Sequence, residues 1–126
     1  MEMHLVHQAA DRTLLVVGVG FEEGDKHRKL RRIFKRLPHE EGKSESVARF
    51  NLRSLLPKDL ESFRYSGSLT TPPFTEGVRW VVLAEPLEAS KEQIAAHLEV
   101  FPTENSREEQ PLNGRVVVTD LEADDD

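Results

Sequence analysis

Residues 65–80, reading YSGSLTTPPFTEGVRW, constrain this chain more than any other stretch. Two threonines, Thr70 and Thr71, stand directly before two prolines, Pro72 and Pro73. Proline locks its own φ and pushes the residue before it toward extended geometry, so the Thr70-Thr71 backbone is stiff. Gly67, just upstream, lets another group approach closely. A stiff loop that offers hydroxyls and a backbone N–H is suited to orienting a small polar reactant. The same stretch also serves as an ordinary turn between two strands.

The residues around it read mostly as β-structure. Residues 1–8 alternate, with Glu2, His4, Val6 and Gln8 pointing one way and Met3, Leu5 and His7 the other. A strand that starts at the first residue is expected to begin inside a sheet. A turn around Asp11-Arg12 follows, then the β-branched, apolar residues 14–21. Residues 1–8 and 13–21 are therefore predicted to pair as an antiparallel hairpin. Gly18 and Gly20 share one face, so something packs close there. After a turn at 22–25, with Asp25 as N-cap, Leu30, Ile33, Phe34 and Leu37 recur at helical spacing up to Pro38. The basic run at 26–36 is then the solvated face of that helix. Residues 39–46 form a polar loop, and residues 59–64 are expected to form one turn of helix. Residues 78–84 read as a buried strand, with Val78, Trp80 and Val82 on one face. Ser90-Lys91-Glu92-Gln93 is a capping box opening a second helix, with Ile94, Leu98 and Phe101 as its inner stripe and Pro102 as its end. A last strand is expected at 115–119 and a disordered acidic tail at 122–126. The fold class is α+β, mostly β: a single domain over residues 1–121 with two surface helices.

Charge and composition exclude several function classes. A net charge of −6 argues against a general nucleic-acid or anionic-membrane binder. The chain has no cysteine, hence no disulfide and no thiolate metal ligand, and the compartment stays open. No apolar run approaches the ~18 residues of a membrane-spanning helix. No basic segment leads into an apolar one at the N-terminus, so no signal peptide is visible.

His4 is the first candidate for chemistry. A metal-bound imidazole usually has its second nitrogen held by an acceptor, commonly a carboxylate. Glu2 lies two residues away on the same strand face, placed for that task. One histidine does not make a catalytic zinc site, which takes about three protein ligands and an open position. His7, His27, His39 and His97 show no ligand spacing with His4.

The 65–80 stretch resembles the SLTTPP signature of the α-type carbonic anhydrases. Four other stretches match that family in order: EMHLVH, TLLVVGVGFEEG, NLRSLLP and QPLNGR. The resemblance covers almost the whole chain but the C-terminal half of the family's fold, part of its large antiparallel or mixed central sheet. The half with the HxHWG zinc motif has no counterpart here. The resemblance implies zinc as cofactor, carbon dioxide and bicarbonate as substrate and product, His4 as the third zinc ligand and Glu2 as its carboxylate partner. His7 matches a histidine that is not a ligand. Thr70 matches the threonine whose hydroxyl orients the attacking hydroxide and whose N–H faces the anion; Thr71 matches a residue lining the same site. Val6, Val16, Leu69, Val78 and Trp80 match the apolar wall for carbon dioxide, with Leu14 at its edge; all would also pack as plain core.

This sequence departs from the family in lacking the glutamate that accepts the threonine proton and the histidine that shuttles protons to solvent. Phe74 stands where bacterial members often have a cysteine. Met1 falls where relatives often have a methionine in mid-sequence, so the start is expected to be an internal codon and the chain a product of truncation, gene splitting or an incompletely delimited gene. The activity implied is zinc-dependent hydration of carbon dioxide, completed by an upstream half-domain or a homo-oligomer. The alternative is a non-catalytic binding or assembly module that has lost the metal. Full-length relatives are often exported, and a signal peptide, where such a relative has one, is expected upstream of Met1.

Overall fold

The structure, a computed structural model, describes residues 1–122. Among the described residues the elements are strands β1 (Glu2–Gln8), β2 (Leu14–Glu23), helix α1 (Arg28–Phe34), a 3-10 turn (Leu52–Leu55), β3 (Ser62–Ser68), β4 (Glu76–Leu83), β5 (Leu87–Ala89), helix α2 (Lys91–Val100) and β6 (Val118–Thr119). The fold is mostly β, with a mixed sheet and two helices. Of the expected acidic tail, residues 123–126 lie outside the described residues. Among the described residues no helix is long and apolar enough to cross a membrane.

The chain divides into two compact units. One comprises residues 2–20, 57–86 and those from 106 onward. Its strands run in the order β1-β2-β4-β3-β6. The β1–β2 hairpin is antiparallel, with His4 opposite Gly18 and Val6 opposite Val16. It is closed as the sequence suggests: Arg12 N–H donates to the Ala9 carbonyl and Thr13 N–H to Asp11 Oδ1 at 3.0 Å. β2 and β4 pair in parallel, with Val16 beside Trp80 and Leu14 beside Val78. β4 and β3 are antiparallel, with Trp80 opposite Tyr65 and Gly67 opposite Val78, and the register shifts between Gly67 and Ser68. Because side chains alternate along a strand, these pairings set His4, Val6, Val16, Val78, Trp80, Tyr65 and Gly67 on one face. Val16 and Val78 are each 1% exposed and form a core cluster with Trp80, with Leu14, Tyr65, Leu69 and Val82 packed against it.

Three expectations fail in this unit. The strand at the first residues lies at the edge of the sheet and not inside it, since among the described residues β1 pairs with β2 alone. Residues 59–64 form no helical turn: Ser62 opens β3, and the helical turn falls earlier, where the Asn51 side chain caps the Arg53 N–H. The segment is a strand because β4 and β6 flank it. Ser62, fully buried, gives its N–H and hydroxyl to Asp120 Oδ1, and Arg64 pairs with Asp120. The last strand is shorter than the expected 115–119. Arg115 is drawn out of it by its own guanidinium, which donates to the carbonyls of Leu112, Pro111 and Ser66.

The second unit comprises Met1, residues 21–56 and residues 87–105. β2 runs two residues past Phe21 because its last three residues pair in parallel with β5. Phe21, Leu30, Leu55 and Ala89 are buried here. The N-cap of α1 is His27, whose side chain accepts from the Leu30 N–H, and not Asp25. Asp25 lies too early and spends its N–H on Glu88 Oε2. The Ser90 capping box of α2 forms as expected. Its inner face differs: Gln93 is buried, while Leu98 and Phe101 are exposed. Gln93 earns that position by hydrogen bonding, since Oε1 accepts from the Ser90 and His27 N–H groups and Nε2 donates to the His27 carbonyl.

Candidate functional site

β1 presents His4 and Glu2 on one face, and their side chains meet: His4 Nε2 lies 2.6 Å from Glu2 Oε2. A carboxylate only accepts, so Nε2 carries the proton, and the tautomer protonated there alone keeps its lone pair on Nδ1. That is the arrangement of a metal-ligating imidazole with its second nitrogen held. The hydrogen bond from His4 is the main cause that keeps the Glu2 carboxyl below the ordinary glutamate range; partial burial opposes it, and the charges of His4 and the N-terminus add to it. Gly18 makes room for this pair, since a Cβ there would lie 3.4 Å from Glu2 Oε1.

Trp80 forms the wall beside His4, with ring centroids 4.9 Å apart and planes at 77°. Its Nε1 donates to the Ser68 carbonyl at 2.9 Å, and Tyr65 stacks on its other side at 6.4 Å. Gly67 lies against the indole: a Cβ would sit 2.9 Å from Trp80 Cδ1, a separation real side chains do not reach.

The Thr-Thr-Pro-Pro loop leaves β3 next to this wall. Leu69 N–H donates to the Thr75 carbonyl and Phe74 N–H to the Thr71 carbonyl, with Phe74 at φ +55° and the Pro72–Pro73 bond cis. Thr70 and Thr71 are both exposed. Thr70 lines a cleft of about 450 Å³ together with Glu2, Tyr65, Gly67, Trp80 and Val82, and with Arg107 and Arg115 among the residues of the far wall. Arg107 donates to Ser68 Oγ and stands over the Phe74 ring at 4.2 Å.

Among the predicted site residues, Glu2, Thr70 and Trp80 share this cleft, and His4 adjoins it through Glu2 and Trp80. Val16 and Val78 lie beneath in the core, with Leu69 packed on them. Val6 is 61% exposed, beyond His4 on β1. His7, on the opposite face of β1, spends its Nδ1 on the Leu5 carbonyl. Tyr65, Arg107 and Arg115 were not readable as site residues. Tyr65 sits in a strand too polar to show an apolar pattern, and the two arginines come from polar stretches.

Among the described residues no group of three or more His, Cys, Asp or Glu side chains is placed to hold a metal ion. The described residues therefore fit a zinc site in part: they supply one imidazole with its carboxylate partner, not a ligand set.

Comparison with known proteins converges on one class, the carbonic anhydrases of α type. The model of the family described as eukaryotic-type carbonic anhydrase matches residues 1–121. A carbonic anhydrase from Klebsiella pneumoniae is 44% identical over 119 residues, covering 94% of this chain and 48% of that protein. The α-carbonic anhydrase of Thermovibrio ammonificans, solved with the inhibitor sulfanilamide, superposes with a TM-score of 0.89 at 42% identity, covering 92% of this chain and 52% of that one. A hyperthermostable carbonic anhydrase from a hydrothermal vent chimney gives 0.89 at 45% identity, covering 94% and 53%. The chain belongs to the eukaryotic-type, or α, carbonic anhydrase family. It spans about half the length of these relatives.

Proposed function

We propose that this chain carries the His4 side of a zinc-dependent carbonic anhydrase centre, which hydrates carbon dioxide to bicarbonate once two further ligands join His4. The observation that carries this reading is the Glu2–His4 contact, which commits Nε2 and turns Nδ1 into the available ligand. Those two donors come from outside the described residues, from a further stretch of polypeptide or from a second copy.

A catalytic zinc supplies hydroxide near neutral pH, with a water pKa of about 7. The residues of this chain prepare for it. Glu2 holds the imidazole tautomer that leaves Nδ1 free. Trp80, over Val16 and Val78, gives an apolar wall suited to carbon dioxide, which has no charge to solvate. Thr70, at the stiff end of β3, offers a hydroxyl and an N–H to orient an oxygen nucleophile and to meet the bicarbonate anion.

The test is metal analysis and stopped-flow carbon dioxide hydration on the full chain, its His4→Ala variant and its Thr70→Ala variant. Zinc and hydration both fall in His4→Ala, whereas Thr70→Ala keeps zinc and loses rate. Hydration that is present in the parent and equal in His4→Ala overturns the proposal. A parent with neither zinc nor hydration leaves a carbonic-anhydrase-like half-domain whose catalytic function depends on residues supplied from elsewhere.

A further inference from the structure

We propose that Trp80 is a positioning residue for the His4 imidazole, held against it by the Ser68 carbonyl, the Tyr65 ring and the missing side chain at Gly67. The purpose of this device rests on the reading of His4 as a metal ligand; its test does not.

Glu2 settles which nitrogen of His4 is committed, but one hydrogen bond at 2.6 Å leaves the ring free to swing about that contact. The second constraint is the indole, edge to face with the imidazole at 4.9 Å and 77°. A wall orients a neighbour only if it cannot move itself. The Trp80 indole is 6% exposed, and three contacts hold it. Nε1 donates to the Ser68 carbonyl, which fixes the ring along its long axis. Tyr65, nearly parallel at 10°, closes one face. Gly67 admits the ring to a place that any Cβ would occupy, with Trp80 Cδ1 2.9 Å and Nε1 3.3 Å from the built atom. Ser68 stands two residues before Thr70. The same indole therefore ties the imidazole to the start of the threonine loop.

If Trp80 were only core filler, losing it would cost stability and leave His4 as ordered as before. The experiment is side-chain ¹³C relaxation of the His4 ring C–H bonds in the metal-free full chain, with the β1 amide signals as the control for an intact strand. In the parent the ring is rigid, with an order parameter near 0.85; in Trp80→Leu it falls below about 0.6, the range of a mobile group. Gly67→Ala, which keeps the indole but displaces it, shows the same loss. Trp80→Phe, which keeps an aromatic face but lacks the Nε1 bond, falls between. Glu2→Gln shifts the imidazole ¹⁵N signals, because the acceptor charge is gone, while the ring stays ordered. An ordered His4 ring in Trp80→Leu or Gly67→Ala, with native β1 amide signals, overturns the proposal. Should Trp80→Leu fail to fold, Trp80→Phe and Gly67→Ala decide it. Because no metal is present, this outcome is independent of whether His4→Ala alters zinc or hydration.

Discussion

Gly67→Ala is the substitution whose cost follows most directly from the structure. The added Cβ would lie 2.9 Å from Trp80 Cδ1, 3.2 Å from Tyr65 Cε2 and 3.3 Å from Trp80 Nε1. Carbon atoms in good contact are about 3.5–4.0 Å apart, so the closest pair must separate by at least about half an ångström. The indole has little freedom to yield, since it packs on Val16 and Val78 and holds the Ser68 carbonyl. Overpacking of this kind costs about 1–3 kcal/mol. If the indole moves instead, its Nε1 loses its partner, at a further ~1–3 kcal/mol. Against this, Gly67 is not in the left-handed region, so alanine narrows the unfolded ensemble at no backbone cost, a gain of about 0.4–1 kcal/mol. The net expectation is a loss of about 1–3 kcal/mol, which shifts the urea midpoint down by on the order of 1 M. Trp80 is the sole tryptophan of the chain, so its fluorescence reports the unfolding and the displaced ring together. A midpoint and emission maximum equal to the parent's would refute the argument that the indole is pinned.

Gly77 provides the contrast: nothing lies within 4 Å of its missing Cβ, but its φ is +83°. Gly77→Ala is expected to cost about 1–2 kcal/mol through backbone strain alone, to leave Trp80 emission unchanged, and to be partly rescued by Gly77→Asn; a blue- or red-shifted native emission would count against that. A carboxyl held low in the fold contributes stability that is present above its unfolded pKa and lost as pH falls through the folded one. Glu2 is such a group, chiefly through His4, so urea midpoints of the parent should fall more steeply than those of Glu2→Gln below about pH 4.3; parallel acid limbs would sink the assignment. Gln93→Leu leaves the Ser90 and His27 N–H groups without their acceptor, while the His27 carbonyl keeps the Arg31 N–H. At ~1–3 kcal/mol for each buried group left unpaired, it should destabilise more than Ser90→Ala, which costs about 1 kcal/mol; equal thermal midpoints by circular dichroism would contradict it.

What could be read from the sequence was what short-range pattern encodes. The alternation of residues 1–8 gave the hairpin and put His4 with Glu2, and the capping box marked the start of α2. The Thr-Thr-Pro-Pro stretch and the glycine before it pointed to a tight site, and Gly67 does lie against an aromatic ring. The misses come from contacts that no local pattern carries. β3, SFRYSGS, is too polar to alternate and is a strand only because β4 and β6 pair with it. The inner face of α2 was assigned to Leu98 and Phe101 by apolarity, but Gln93 is buried through three hydrogen bonds to backbone. His27 caps α1 in place of Asp25 because the earlier residue is held by Glu88. Of the two arginines of the cleft wall, Arg107 comes from a segment whose sequence shows only polarity, and Arg115 closes the QPLNGR stretch, which carries the resemblance without marking a site residue.

The parallel pairing of β2 with β4 also sets an order of events in folding. β1 and β2 are joined by a tight turn and meet early, and with them His4 meets Gly18 and Glu2. Trp80 arrives only when β4 closes a long crossover onto β2, and such non-local pairings carry a loop-closure cost before any contact offsets it. A chain still folding therefore shows an imidazole with its carboxylate but no aromatic wall. Its Nδ1 is exposed before it is aimed, and the surroundings of the imidazole mature only when β4 pairs with β2.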